Sequence, residues 1–216
     1  MLQSIPDSDR SRVNDPEGTK ADIVAVATEE FAEHGLSGAR VDAIAERTRT
    51  SKRMIYYYFG GKEGLYRAVL ERAYAEIRAI EAGLDLARCD PVEGLRQLIE
   101  QTFESDESHA AFIRLVMIEN IHNGRHLAGM ESIRRINMRV IAIIDDLLKR
   151  GRAVGRFQRA ADAVDVHMMI SALCFFRVSN RHTFGQIFGV DFSEPRTREK
   201  HKRMIADAVL RTLEAE

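Results

Sequence analysis

The chain has 216 residues, of which 45% are hydrophobic and 30% are charged, and its formal net charge is −1. This balance is typical of a soluble globular protein, and it excludes a protein that binds nucleic acid through an overall positive charge. Any DNA-binding surface must therefore be a local concentration of basic residues.

The two cysteines, Cys89 and Cys174, are far apart in the sequence and lack the CxxC spacing. This pattern indicates reduced thiols rather than a disulfide. The sequence shows neither an apolar leader nor an apolar stretch long enough to cross a bilayer. We therefore expect a cytoplasmic protein without a membrane partner.

Residues 1–18 are polar, contain Pro6 and Pro16 and show no apolar period, so we predict a flexible N-terminal arm. A first amphipathic helix is predicted to begin at Thr19 and to end at Gly35, which suits a helix C-cap. Its apolar positions are Ile23, Val26, Ala27 and Phe31.

A second, short helix is indicated by the apolar stripe of Val41, Ile44 and Ala45. The run Thr48-Arg49-Thr50-Ser51 follows it and has the composition of a turn and a helix N-cap. The third helix carries basic residues and tyrosines, and its Ile55 is placed to face a core together with Phe59. These features predict a helix-turn-helix domain over residues 19–66.

In a helix-turn-helix, the second helix enters the major groove and its first residues reach base edges. We expect Lys52 and Arg53 to approach bases, while Arg49, Lys62 and tyrosine hydroxyls contact phosphates. The predicted DNA-binding residues are Arg40, Val41, Arg49, Thr50, Ser51, Lys52, Arg53, Tyr56, Tyr57, Tyr58 and Lys62.

The run Ser51-Lys52-x-x-Ile55-Tyr56-x-Tyr58-Phe59-x-x-Lys62-Glu63-x-Leu65, preceded by Ile44-Ala45 and by Phe31-Ala32-Glu33-His34-Gly35, resembles the DNA-binding domain of the tetracycline-repressor (TetR) family. The resemblance covers residues 19–70. It implies a homodimeric transcriptional regulator, a repressor in most cases, that leaves its double-stranded DNA operator when a small effector binds. The family turn usually holds an Ala-Gly-Val-like run, so Arg49 occupies a position where a residue without a Cβ is easier to place.

A long helix from Lys62 to Ile80 follows, and we expect it to link the two halves of the chain. Helical spacing continues to the C-terminus, and no alternating β pattern competes with it. Further helices are predicted at 92–103, 109–121, 127–149, 162–188 and 196–213. The predicted fold is all-α, with a three-helix DNA-binding domain joined to a larger helical bundle at 67–216 that binds effector and dimerises.

Residues 110–122 and 168–180 are apolar on more than one helix face and then become polar. A mostly apolar cavity with a few polar groups is the usual form of a small-molecule site. The alternative is that the polar groups satisfy helix ends while the apolar ones pack in a core. The predicted effector-binding residues are Phe112, Val116, Asn120, Phe175, Arg177 and Asn180.

Glu119-x-x-His122 has the spacing of di-metal carboxylate bundles, but only Asp106-Glu107-Ser108-His109 partly echoes it. We therefore expect no metal, no cofactor and no enzymatic activity. The alternative functions are an all-α metal-binding bundle or enzyme with an incidental basic helix, and a DNA-coating protein without an effector. By the family resemblance, the last two helices form the dimer interface, with Met169 and Phe176 as candidates.

Overall fold

The computed structural model describes residues 15–214, and over this range the chain forms ten helices and no strand, which confirms the predicted all-α fold. Residues 1–14 of the predicted arm lie outside the described part. Among the helices of residues 15–214, none has the length and apolar character that a bilayer crossing requires. In chain order, the helices are Pro16–Gly38 (α1), Val41–Arg47 (α2), Lys52–Phe59 (α3), Lys62–Ala82 (α4), Pro91–Ser108 (α5), Ala110–Ile121 (α6), Glu131–Ala153 (α7), Ala163–Ser179 (α8), Arg181–Phe188 (α9) and Pro195–Arg211 (α10).

The helices form two compact units, which divide between Val69 and Leu70. The N-terminal unit contains α1, α2, α3 and the first residues of α4. The C-terminal unit contains the remainder of α4 together with α5 to α10. Since Leu65 and Ile77 of α4 are both buried, this helix contributes side chains to both hydrophobic cores.

The first helix begins earlier than the predicted start at Thr19, because Asp15 and Pro16 together form a strong start signal. Asp15 Oδ1 accepts a hydrogen bond from the Gly18 N–H at 2.9 Å, and proline is well suited to the first helical position. Gly35 interrupts the helical geometry with φ 66° and ψ 174°, as its predicted role at a helix end requires.

The core of the N-terminal unit is made by fully buried side chains from all four of its helices. Phe31 of α1 and Tyr66 of α4 meet edge to face, with ring centroids 5.0 Å apart. Ile44 of α2 and Ile55 of α3 are completely buried. Because α2 packs on both α1 and α3, these buried contacts fix the position of α3 from one side and leave its other side free for solvent.

The C-terminal unit is built around α5, which packs against α7, α8 and α10. Asp90 caps this helix, since its Oδ1 accepts hydrogen bonds from the N–H groups of Val92 at 3.0 Å and Glu93 at 3.1 Å. The buried stripe of α5 is Leu95, Leu98, Ile99 and Phe103. The surrounding helices add Ile144, Leu147, Val166, Ile170, Val209 and Leu210 to the same cluster.

The single helix predicted over 162–188 is wrong, because α8 ends at Ser179 and α9 begins at Arg181. Asn180 lies between them with ψ 2°, and its N–H donates to the Phe176 carbonyl oxygen at 3.0 Å. Asparagine favours helix ends because its side chain competes with the helical backbone for hydrogen bonds. The other predicted helices are present, with shifted ends.

Candidate functional site

The two ends of α3 are fixed by the residues that flank it. Ser51 Oγ accepts a hydrogen bond from the Met54 N–H at 3.2 Å and so caps the first turn. Gly60 ends the helix in the left-handed conformation with φ 73°, and its N–H donates to the Tyr56 carbonyl oxygen at 2.8 Å. Together with α2, this helix forms the predicted helix-turn-helix.

The turn between α2 and α3 contains a left-handed residue that is not glycine. Arg49 has φ 53°, which confirms that it occupies a position where a residue without a Cβ is easier to place. Thr48 Oγ1 donates to the Ile44 carbonyl oxygen at 2.8 Å, and the Thr50 N–H donates to the Ala45 carbonyl oxygen at 3.1 Å. These hydrogen bonds hold the turn in the conformation that Arg49 must adopt.

The exposed side of α3 is basic and aromatic. Ile55 is buried, whereas Lys52, Arg53, Tyr56 and Tyr57 are exposed, with Tyr57 77% exposed. At about 100° per residue these four side chains cover one continuous arc of roughly 140° around the helix. Within residues 15–214, the Arg53 guanidinium makes no ion pair, so its charge is available to an external partner.

Two of the predicted DNA-binding cations have partners inside the N-terminal unit. Lys52 Nζ lies 3.1 Å from Asp42 Oδ1, and both side chains are exposed. Lys62 Nζ donates a hydrogen bond to the Ser37 carbonyl oxygen at 3.1 Å. Lys62 therefore connects the start of α4 to the end of α1, a structural role that the sequence did not indicate.

Val41, one of the predicted DNA-binding residues, is 7% exposed, and its side chain belongs to the buried stripe of α2. Tyr58 is half-buried, and the Lys20 ammonium lies 5.4 Å from its ring centroid. Tyr58 is thus outside the exposed arc of α3. The remaining predicted residues lie at the surface, with Arg40, Arg49 and Ser51 exposed and Thr50 half-buried.

The C-terminal unit contains a cavity of about 270 Å³ between five of its helices. The structure brings three of the predicted effector-binding residues, Phe112, Val116 and Phe175, to this cavity. The Phe112 ring meets the Tyr74 ring edge to face, with centroids 5.1 Å apart. The other lining residues are Ile77, Arg78, Glu81, Thr102, Ser105, Asp106, Asn137, His167 and Ser171.

The cavity also contains a buried cluster of charged side chains. Arg78 Nη1 forms an ion pair with Glu81 Oε2 at 2.5 Å, and Glu81 is 2% exposed. Asp106 is 6% exposed, and its carboxylate makes no hydrogen bond or ion pair with any residue in the range 15–214. The Arg78 Nε–H and the Ser105 hydroxyl are also buried without a partner in that range.

Burial shifts the proton affinities of these groups. It raises the pKa of Asp106 from the ordinary value of 3.8 to about 7, while Arg78 partly opposes the rise and Glu81 adds to it. Burial, together with the positive charge of Arg78, lowers the pKa of His167 from the ordinary value of 6.5 to about 4. His167 is therefore a neutral imidazole at neutral pH, and Asp106 is poised between its two protonation states.

Three predicted effector-binding residues do not line this cavity. Asn120 is exposed, and its Nδ2 donates to the Val116 carbonyl oxygen at 2.9 Å. Arg177 forms an ion pair with Glu107, and its Nη2 donates to the Phe192 carbonyl oxygen at 2.7 Å. Asn180 Nδ2 donates to Ser179 Oγ at 2.8 Å at the junction of α8 and α9. These polar groups satisfy helix ends and interhelical contacts, which was the alternative interpretation.

The polar lining from α4 and α5 was missed by sequence reasoning. Thr102 and Asp106 continue the helical spacing of the buried stripe that contains Leu95 and Ile99. Polar residues at core-facing positions are the signal that could have found them. The Glu119-x-x-His122 motif considered from the sequence does not form a pair. Glu119 Oε1 instead lies 2.7 Å from His126 Nδ1.

The C-terminal unit also exposes a row of apolar side chains on α8, which we call the apolar strip. Its members are spaced four residues apart and therefore lie on one helix face. They are Val164, Met168, Ala172 and Phe176, all of them exposed. Met169, a predicted interface candidate, instead packs against the hydrophobic core of its own unit, whereas Phe176 is 46% exposed.

Comparison with known protein families gives two matches that together span most of the chain. Residues 23–69 match the family described as "Bacterial regulatory proteins, tetR family". Residues 91–209 match "Tetracyclin repressor-like, C-terminal domain". The first match contains the helix-turn-helix, and the second contains α5 to α9 with most of α10.

Among curated proteins, the transcriptional repressor NicS of Pseudomonas putida is 31% identical over 202 residues, which cover 94% of this chain and 95% of NicS. The repressor SCO4008 of Streptomyces coelicolor is 36% identical over 138 residues, covering 63% of this chain and 68% of that protein. The solved structure of the ketosteroid transcriptional regulator KstR2 of Mycobacterium tuberculosis has the same fold, with a TM-score of 0.67, 21% identity and coverage of 91% of this chain and 95% of KstR2.

These relationships assign the chain to DNA-binding transcriptional regulators, and they overturn the alternative of an enzyme or a metal-binding bundle. The helix-turn-helix with its exposed basic helix and the helical C-terminal unit are the two parts that such a regulator requires. The chain belongs to the tetracycline-repressor (TetR) family.

Proposed function

We propose that this protein is a homodimeric, effector-responsive repressor that acts in the cytoplasm on a palindromic operator. The observation that carries the proposal is α3, which is anchored by buried Ile55 and presents Lys52, Arg53, Tyr56 and Tyr57 to solvent. A short helix of this kind fits the major groove, where its first residues can reach base edges.

The side chains around α3 make two kinds of contact with DNA, to base edges and to phosphates. Arg53 is the principal base-reading residue, because its guanidinium is exposed near the start of α3 and is suited to the two acceptors of guanine. Arg49, Ser51 and the Tyr57 hydroxyl are placed in the turn and on the exposed arc, where contacts to phosphates fix the position of the helix. Lys52 joins Arg53 at the base edges after leaving Asp42.

We predict that Arg53→Ala weakens operator binding by about 1–3 kcal/mol and relaxes the base preference at one position of the half-site. Tyr57→Phe removes only a phosphate-binding hydroxyl, so it is expected to weaken binding to all sequences alike. Selection of operators from random duplexes, followed by affinity measurements over a range of salt concentrations, tests both changes. Each phosphate neutralised by a cation contributes about −0.9 to the slope of log affinity against log salt.

Arg88→Ala is the matched control for Arg53→Ala, because Arg88 is an exposed arginine of the C-terminal unit. It is expected to leave both affinity and preference unchanged. A wild-type affinity that does not depend on salt, or an unchanged base preference in Arg53→Ala, would contradict the proposed DNA-binding surface.

The apolar strip supports the dimer. Met168 is 62% exposed and Phe176 is 46% exposed, and a second copy of the chain that packs against the same strip would remove both from water. One helix-turn-helix makes few base contacts, and a two-fold dimer doubles them on a palindrome. The α3 helices of the two copies should then contact half-sites about 34–36 Å apart, or a multiple of that distance.

We predict that Met168→Glu disrupts this dimer, because a two-fold interface would bury the new carboxylate twice without a partner. The dimer dissociation constant should rise at least about 100-fold, which corresponds to about 2.7 kcal/mol. Sedimentation over a range of concentrations provides the measurement. The matched control is Met138→Glu, since Met138 is 53% exposed on α7, outside the strip. Equal sedimentation of the two variants would exclude the strip as the interface.

The cavity is the proposed effector site. It is lined by three aromatic side chains and by four residues of α4, the helix that supplies residues to both units. An effector that binds preferentially to a conformation with low operator affinity must lower that affinity by the same factor by which the operator lowers effector affinity. A coupling of about 1–3 kcal/mol changes operator affinity roughly 5- to 150-fold, which is sufficient for a switch.

A further inference from the structure

The cavity contains a buried carboxylate for which the described protein supplies no partner. Asp106 is 6% exposed and lines the cavity, and its oxygens accept no hydrogen bond from residues 15–214. The cation of the same cavity, Arg78, is already paired with Glu81 at 2.5 Å. Buried charges in proteins are normally paired, because removing an unpaired charge from water is costly. When Asp106 is ionised, its negative charge therefore has no directly paired cation in this cluster.

The other polar groups of the cavity define the remainder of the ligand. His167 is a neutral imidazole at neutral pH, so it does not supply the missing positive charge. The Arg78 Nε–H and the Ser105 hydroxyl are buried without a partner in the described chain, so both can donate to a ligand acceptor. A ligand that complements this cavity thus carries a cation on one side and a hydrogen-bond acceptor near it.

The walls and the size of the cavity limit the shape of the ligand. Tyr74, Phe112 and Phe175 provide aromatic surfaces, which pack well against a flat ring and attract cations to their faces. The volume of about 270 Å³ is slightly below the range of roughly 300–1,000 Å³ for typical small-molecule sites. A molecule with one ring and one or two substituents suits this volume.

We propose that the cavity binds a small organic cation, a single-ring amine whose protonated nitrogen is bound by the Asp106 carboxylate. An acceptor on the same molecule takes hydrogen bonds from Arg78 Nε and Ser105 Oγ. A carboxylate ligand would instead bring a third negative group beside Asp106 and Glu81, while Arg78 remains engaged with Glu81. The proposal that the cavity binds an amine stands independently of the proposed function. The further statement that this amine is the effector rests on the proposed function.

The test uses calorimetry on the intact protein without DNA, with benzylamine, benzyl alcohol and benzoate as the first of a panel of matched single-ring probes. We expect amines to bind at least about tenfold more tightly than their hydroxyl and carboxylate counterparts at pH 8, which is the strength of one charge-assisted hydrogen bond. Asp106→Asn should remove this preference. The matched control is Asp85→Asn, the same change of a carboxylate to an amide at an exposed residue of the C-terminal unit that does not line the cavity, and it should retain the preference.

The pH dependence provides a second signature. Amine binding requires ionised Asp106, whose pKa is about 7, so amine affinity should rise roughly tenfold from pH 6 to pH 8. The titratable groups that face this carboxyl are Tyr74, Arg78 and Glu81 of α4 and His167 and Cys174 of α8. The benzyl alcohol counterpart should show no such rise, because its binding does not require the charge of Asp106.

Two results would overturn the proposal. One is a panel in which no amine is preferred over its neutral and anionic counterparts, and the other is a preference that persists in Asp106→Asn with its fold verified by circular dichroism. The regulatory function is tested separately by repeating the titration with saturating operator. An amine that binds equally well with and without operator would leave the cavity assignment intact and would contradict the effector switch.

Discussion

Gly64→Ala is expected to destabilise the N-terminal unit and to reduce operator binding strongly. Gly64 lies in the first turn of α4, directly after the end of α3 at Phe59. A Cβ at this position would overlap the Phe59 carbonyl oxygen and would lie 3.0 Å from its carbonyl carbon. Because the obstacle is backbone, the end of α3 must move away from the start of α4. Overpacking of this kind costs about 1–3 kcal/mol and sometimes more.

Gly38→Ala is the matched control, since a Cβ at Gly38 would make only a 3.4 Å contact with the His34 Cβ. Thermal unfolding and operator affinity should therefore be nearly unchanged in this control. In Gly64→Ala, the operator affinity should fall even at temperatures where the C-terminal unit remains folded. Wild-type binding by Gly64→Ala would mean that the position of α3 does not depend on its close approach to α4.

Asp106→Asn is expected to stabilise the protein at neutral and alkaline pH. The pKa of Asp106 is about 7 in the folded protein, above the ordinary value of 3.8, so the folded protein retains a proton that the unfolded chain loses. Stability therefore falls as the pH rises from about 4 to about 7 and is constant above that range. A difference of about three pKa units corresponds to about 4 kcal/mol, which asparagine would restore by removing the buried charge.

Calorimetric unfolding between pH 5 and pH 8 measures this effect. The wild type should lose stability over that range by more than Asp106→Asn does, and Ser171→Ala should follow the wild type. A parallel pH dependence of the wild type and Asp106→Asn would contradict the pKa assigned to Asp106. The expected result would show a ligand-binding group that is kept at the expense of stability, which is common in functional sites.

Sequence reasoning succeeded where a local pattern determines the local structure. The helix-turn-helix follows from a few closely spaced residues, because Ser51 caps α3, Gly60 ends it and Ile55 anchors it. The left-handed conformation of Arg49 agrees with the expectation drawn from the family resemblance, in which the turn usually holds an Ala-Gly-Val-like run. Such features depend on neighbours in the sequence and can be read from it directly.

The cavity could not be predicted in the same way, because it depends on side chains from five helices. Nothing near Asp106 in the sequence indicates that Arg78 will lie close to it while paired with Glu81. The apolar runs around Phe112 and Phe175 were visible, but the polar ends of those runs point to helix termini, as Asn180 demonstrates. Tertiary packing decides which polar groups meet in a core. The hydrophobic periodicity of a single helix does not predict these contacts between helices.

The ion pair between Lys52 and Asp42 has a consequence for how the protein finds its operator among the many other sites of a genome. Lys52 Nζ lies 3.1 Å from the Asp42 carboxylate and must leave it before it can contact a base. On a sequence that offers Lys52 no base acceptor, no base contact compensates for the loss of this ion pair, so Lys52 stays with Asp42 and adds little to non-specific affinity. Competing genomic sites number about 10⁶–10⁹, so a lower affinity for each of them leaves more of the protein free to occupy the operator.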